Sequence, residues 1–177
     1  LGTLVNFIKG RKPLQTYSEN LPGFLPQILI DVLNGGESSF ASTDNMVICE
    51  QNDILMVMDG ASSGRTEIGF SGIIGSTLAK IISQTEQITP AYLYFYLKSK
   101  QKEIAENTTG SAIPHADRKR IESMLIALPS QSILEAFTLF ATKVFYQIWE
   151  NKKQTKILSQ IRDSLLPRLM SGKMRVN

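Results

Sequence analysis

The pattern of apolar and polar positions changes character at Pro129. Beyond it, positions 134, 137, 141, 144, 148, 151, 155, 158, 162, 165 and 169 keep the alternating three-and-four spacing of a heptad seam. They hold Leu134, Phe137, Ala141, Val144, Ile148, Asn151, Thr155, Leu158, Arg162, Leu165 and Leu169, of which eight are apolar. No glycine interrupts 132–169 and Pro167 is its only proline, so the spacing predicts one long amphipathic helix. At 1.5 Å per residue, ~35 residues reach roughly 50 Å, more than a small domain can cover, so the helix needs a partner. Asn151 and Thr155 break the seam and either set its register or mark a weak stretch.

Before Pro129 the apolar runs are short and bounded by Gly, Pro, Asn and Ser. Leu4-Val5-Asn6-Phe7-Ile8 reads as a strand or the end of a short helix, stopped by Lys9-Gly10-Arg11-Lys12-Pro13. Strands are predicted over Ile28–Leu33, Met46–Glu50 and Ile54–Met58, the last two separated by the turn residues Gln51-Asn52-Asp53. The loop Asp59-Gly60-Ala61-Ser62-Ser63-Gly64-Arg65 follows, then a glycine-punctuated run from Ile68 into Thr77–Ile82, which suggests one compact, twisted sheet. Thr89-Pro90 resembles an N-cap with proline at the first helical position, ahead of the aromatic stretch Tyr92 to Leu97. Asp117 is placed to cap a short turn through Ile121, and Met124–Leu128 reads as a last strand. The architecture expected is α+β: a β-rich domain over 1–130 and a coiled-coil-forming helix over 131–177.

Composition narrows the function. With 42% hydrophobic and 20% charged residues the chain sits near the globular average. One cysteine, Cys49, and one histidine, His115, leave neither a disulfide framework nor a Cys/His metal site within one chain. No apolar stretch approaches the ~20 residues that span a bilayer, and no signal peptide heads the sequence, which opens on Leu1-Gly2. A cytoplasmic protein is expected. Net charge is +3. Residues 1–130 carry 11 Lys/Arg against 13 Asp/Glu, and residues 131–177 carry 8 against 3, so any anion contact by the front domain must use a local patch.

Lys9, Arg11 and Lys12 put three cations around one turn, and Arg118-Lys119-Arg120 forms a second cluster after His115. Each is either a solvated loop or a contact to DNA, where Arg and Lys anchor phosphates and Arg pairs with guanine edges. The Asp59–Arg65 loop lacks the Gly-Lys-Ser/Thr ending of a phosphate-binding loop, and Gly69, Gly72 and Gly75 do not fit the dinucleotide fingerprint. An ordinary tight turn explains it, although small residues there also let a DNA backbone approach. His115 has no spacing partner that proposes a catalytic triad, and no nucleophile or acid/base pair is visible. The aromatics Tyr92–Tyr96 fit a helix core better than a base-stacking platform.

Several stretches resemble the specificity subunits of type I restriction–modification enzymes. Asn52-Asp53-Ile54-Leu55 through Asp59-Gly60 and Gly64, continuing to Gly75-Ser76-Thr77-Leu78-Ala79-Lys80, is similar to the family's "GDIL…DG…G…GS.LA" block. Pro90–Leu97 resembles its "P.YLYYYL" helix, Thr109–His115 its "TGS.IPH" loop, Leu125–Pro129 its "I.LP" strand, and Ile161–Val176 the end of its helix. Their order and spacing cover most of the chain.

The resemblance implies a target-recognition domain followed by a long conserved helix, in a subunit without activity of its own. Such a subunit binds double-stranded DNA and docks methyltransferase subunits, which use S-adenosylmethionine. Those assemble with restriction subunits that use ATP and Mg, and no cofactor is expected in this chain. Family members usually carry two recognition domains and two helices; one of each is found here, as in a half-length subunit or a piece of a longer one. A homodimer through Leu134, Phe137, Ala141, Val144, Ile148, Leu158, Leu165 and Leu169 would restore the pair and read an interrupted palindrome. The DNA contacts expected from the residues themselves are Lys9, Arg11, Lys12, Ser62, Ser63, Arg65, Lys80, His115, Arg118 and Lys119. The rival reading is a coiled-coil scaffold protein with a small β-rich domain and no DNA role; an enzyme in its own right stands third.

Overall fold

The computed structural model describes residues 1–110 and 112–172. Ser111 of the "TGS.IPH" loop and Lys173 to Val176 of the terminal block lie outside the described residues. The elements follow in chain order as β1 (Val5–Lys9), β2 (Phe24–Ile28), α1 (Ile30–Leu33), β3 (Phe40–Ser42), β4 (Ile48–Cys49), β5 (Ile54–Val57), β6 (Thr66–Glu67), β7 (Gly72–Ile74), β8 (Leu78–Ser83), α2 (Pro90–Glu106), α3 (Arg118–Ser123) and α4 (Gln131–Met170).

The strands form two four-stranded sheets, where the sequence suggested one. The first has the order β1-β8-β5-β6 and is antiparallel, with Phe7 opposite Ile81 and Met56 opposite Ala79 and Thr66. The second has the order β3-β2-β7-β4 and contains a parallel β2–β7 pair. That pairing joins Gln27 to Ile73, partners too distant in sequence for a turn signal to announce.

Burial on both faces of the first sheet explains why Ile54–Val57 is apolar at every position. Alternate residues turn Val5, Phe7, Ile54, Met56, Ala79 and Ile81 into one core with Leu93, Leu97 and Ile104 of α2 and Ile121 of α3. The opposite residues, Leu55, Val57 and Leu78, pack with Ile28, Leu33, Cys49 and Ile74 into a second core. Cys49 is buried there, and burial first of all pushes its thiol up to about 11, which leaves it unreactive.

Two predicted strands need correction. Ile28–Leu33 is split: Ile28 ends β2, while Ile30–Leu33 is a single helical turn closed by Gly36 N–H donating to the Asp31 carbonyl at 2.8 Å. A short apolar run cannot by periodicity separate a buried strand from a buried helical turn. Met124–Leu128 forms no ladder. Its carbonyls are taken instead by hydroxyls of α2: Tyr92 donates to Ala127 O at 2.8 Å and Tyr96 to Leu125 O at 3.0 Å. The aromatic stretch therefore straps the end of the domain to α2. At the start of that helix Thr89 caps Tyr92 N–H, with Pro90 at the first helical position.

The first compact unit runs from Leu1 to Thr138 and the second starts at Leu139, so the opening turns of α4 belong to the first. There Leu134 is buried, Phe137 meets the rings of Tyr92 and Phe95 edge-on at 6.1 and 5.7 Å, and Thr138 hydrogen-bonds Thr89. Further along, Ala141 is buried, Val144 and Leu165 are half-buried, and Ile148, Leu158 and Leu169 are exposed. Among the described residues no helix is long and apolar enough to cross a membrane.

Candidate nucleic-acid interface

The residues expected to meet DNA divide into those the fold occupies and those it leaves outward. Ser63 is buried, and its hydroxyl lies 2.6, 2.9 and 3.3 Å from the carbonyls of Gly60, Pro114 and Met58. Arg65 is held by Glu67 at 2.9 Å, by the Asn34 side chain at 2.5 Å and by the Leu33 carbonyl at 2.9 Å. Lys80, on β8, is salt-bridged to Asp53 at 2.5 Å. These three were expected as DNA contacts, and in the structure each has partners within the fold. A buried polar group must be satisfied internally, and the sequence shows the polar group without its partner. Ser62 is half-buried in the same turn, its carbonyl accepting from Arg65 N–H at 3.0 Å.

The Asp59–Arg65 loop and the Thr109–His115 loop are knitted together. Gly60 N–H donates to Pro114 O at 2.9 Å and Ala116 N–H to Met58 O at 2.8 Å. Gly64 sits at φ +87° with its α-carbon against α2; a Cβ there would come within 2.6 Å of Ile104.

Asp59, not singled out from the sequence, is the hub of the outward cluster. One carboxylate oxygen takes Lys9 Nζ at 2.8 Å and the other His115 Nδ1 at 2.7 Å. Burial opposes its charge, but the Lys9 ammonium and the His115 ring outweigh that and hold its pKa below the ordinary carboxylate value. A lowered folded-state pKa stabilises the fold above the unfolded value of about 3.9 and loses that contribution as pH falls through the folded value. Asp59→Asn is therefore expected to flatten the acid limb of stability against pH, measured by urea denaturation between about pH 2 and 6. An acid limb identical to the wild type would refute the assignment.

Beside this cluster Arg118 reaches Glu122 at 2.6 Å and lies over the Phe7 ring at 5.3 Å, while Lys119 is exposed with no ion pair among the described residues. Asp117 caps the short helix through Arg120 N–H. Lys9 and Arg11 flank Gly10, so β1 ends directly at the second outward group. There Arg11 donates to the Asn45 carbonyl at 3.0 Å, and Lys12 is exposed and unpaired among the described residues. Both line a groove of about 780 Å³ whose other walls include Leu14, Gln15, Asp44 and Asn45. Of the residues expected to meet DNA, Lys9, Arg11, Lys12, His115, Arg118 and Lys119 are exposed.

The family model described as Type I restriction modification DNA specificity domain matches residues 1–166. The specificity subunit of the type I restriction enzyme MjaVIII from Methanocaldococcus jannaschii is 29% identical over 173 residues, 97% of this chain and 41% of that protein. Among solved structures, the type I restriction–modification S subunit from M. genitalium superposes with a TM-score of 0.68 at 20% identity, covering 96% of this chain and 44% of that one. The HsdS subunit from Thermoanaerobacter tengcongensis gives 0.58 at 16% identity, covering 98% and 44%. The chain thus spans less than half the length of each of these relatives and shares the fold of the solved ones; by the family model over residues 1–166, this chain belongs to the family of type I restriction–modification DNA specificity domains.

Proposed function

We propose that this chain recognises a DNA sequence for a type I restriction–modification enzyme and performs no chemistry itself. The family match over residues 1–166 carries the reading. The outward cations Arg11, Lys12 and Lys119 agree with it, because they remain available after the fold has satisfied its internal ion pairs. Methyltransferase and restriction subunits are the protein partners in this reading, and S-adenosylmethionine and ATP with Mg belong to them. The long helix pairs with the same helix of a second copy, and two identical domains related by a two-fold axis read inverted half-sites. That arrangement is supported by the seam residues Ile148, Leu158 and Leu169, which the helix leaves exposed.

Fluorescence anisotropy with duplex DNA from about 50 to 200 mM salt tests the reading. Lys12→Ala is expected to weaken binding to all sequences alike and to reduce the salt slope by about 1, and Arg11→Ala to weaken binding as well. Both side chains are exposed, so thermal melting should change little. Unchanged affinity and slope in both variants removes this loop as a phosphate contact. Absence of DNA binding by the wild type favours the scaffold reading.

A further inference from the structure

The outward groove contains side chains that phosphate binding does not use. We propose that the groove between the Arg11–Tyr17 loop and the turn at Asp44–Met46 reads base edges, Gln15 and Asn45 by amide hydrogen bonds and Leu14 by apolar contact. The proposal rests on the DNA-recognition reading above and assigns its sequence-reading residues.

Leu14, Gln15 and Asn45 line one groove. Pro13 is buried while its neighbours Lys12 and Leu14 face outward, so a ring of fixed φ anchors the loop and projects both. Leu14 is 103% exposed and contributes nothing to the fold's own core. Gln15 accepts a hydrogen bond from the Tyr17 hydroxyl at 2.9 Å, which orients the amide and leaves its NH2 free to donate. Across the groove Asn45 is exposed at φ +57°, its carbonyl braced by the Arg11 guanidinium at 3.0 Å. Among the described residues its side-chain amide has no hydrogen-bond partner.

The chemistry favours base edges over phosphate inside the groove. Asp44 stands in the wall, its carboxylate accepting from Ser42 at 2.8 Å, and a carboxylate repels phosphate while it can accept from the cytosine amino group. Amide side chains pair with the adenine N6/N7 edge, and an exposed leucine suits the thymine methyl. Arg11 and Lys12 lie at the same groove and supply the phosphate contacts that hold the duplex there. Affinity and sequence choice are therefore separable on this face.

The test is selection of bound sequences from a randomised duplex pool by the full chain, comparing the wild type with Leu14→Ser, Gln15→Ala, Asn45→Gly and Lys12→Ala. Glycine at position 45 keeps the left-handed backbone while deleting the amide. The Gln15 and Asn45 variants are expected to lose about 5- to 150-fold of discrimination at one or two positions of the selected motif. Leu14→Ser should relax a position occupied by thymine, and Lys12→Ala should lower affinity without altering the motif. Far-UV circular dichroism and melting curves establish that each variant is folded. A wild type that selects a motif, with all three reading-residue variants selecting the same motif equally sharply, overturns the groove assignment. A wild type that selects no motif overturns the DNA-recognition reading beneath it.

Discussion

Replacing Ile148 and Leu158 together by aspartate is expected to leave the chain monomeric at micromolar concentration and to weaken binding to a two-half-site duplex by about 10²- to 10⁴-fold. The two side chains are 42% and 65% exposed on the described chain, so each still has apolar surface to bury. Covering those portions contributes about 1–2 kcal/mol per side chain, or about 4–8 kcal/mol for the four in a two-fold pair. Association must offset at least about 4 kcal/mol of lost freedom, so removing this contribution and adding carboxylates tips the balance to monomer. Sedimentation equilibrium and paired titrations of one- and two-half-site duplexes measure it. Affinity for a single half-site should stay within a few-fold of the wild type. A monomeric wild type would end the homodimer proposal. Phe137→Asp is a poorer probe, because Phe137 packs on Tyr92 and Phe95 inside the first unit, and its loss would damage the recognition domain itself.

Gly10→Ala is expected to cost about 2–4 kcal/mol of stability and to abolish tight DNA binding. Gly10 closes β1 with its N–H on Leu78 O at 2.9 Å, and Arg11 N–H continues onto Ile74 O at 3.1 Å. A Cβ at position 10 would lie 2.3 Å from the carbonyl oxygens of both Ile74 and Gly75, so the added methyl must push backbone rather than a pliable side chain. The strand end then separates from the β7–β8 connection, and the displaced segment is the one that carries Arg11, Lys12 and Leu14. For a chain of this size the loss corresponds to a melting point lower by roughly 4–16 °C. Lys12→Ala supplies the contrast, since it alters binding and leaves melting alone. A Gly10→Ala protein with wild-type melting and binding would show that the loop is not anchored here.

Much of the fold was legible because local chemistry dictated it. The heptad spacing over 132–169 lies within the observed helix Gln131–Met170, since a three-and-four apolar spacing uninterrupted by glycine favours one long helix. Thr89-Pro90 and Asp117 announced α2 and α3 because a cap is satisfied by its own first turn. Ile54–Val57 emerged as a strand because burial on both faces demands an unbroken apolar run. Where two structures satisfy the same short apolar pattern, as at Ile30–Leu33, the choice lay outside the segment. Met124–Leu128 likewise looked like a strand until the tyrosines of α2 claimed two of its carbonyls.

The site divides along the same line. Composition and motif order by themselves determined the family, the helix and the presence of basic turns at Lys9–Lys12 and Arg118–Arg120. Which polar groups remain free was decided only by the tertiary structure. Ser63, Arg65 and Lys80 are as polar in sequence as Lys12, yet Pro114, Leu33 and Asp53 occupy them across gaps of 51, 32 and 27 residues. Asp59 became a hub because Lys9 and His115 arrive from opposite ends of the domain. Leu14, Gln15 and Asn45 carry no motif; they share a groove because the Arg11 guanidinium bridges two distant loops. Local propensity is written in neighbouring residues, whereas the availability of a side chain depends on partners that only the folded chain brings within hydrogen-bonding distance.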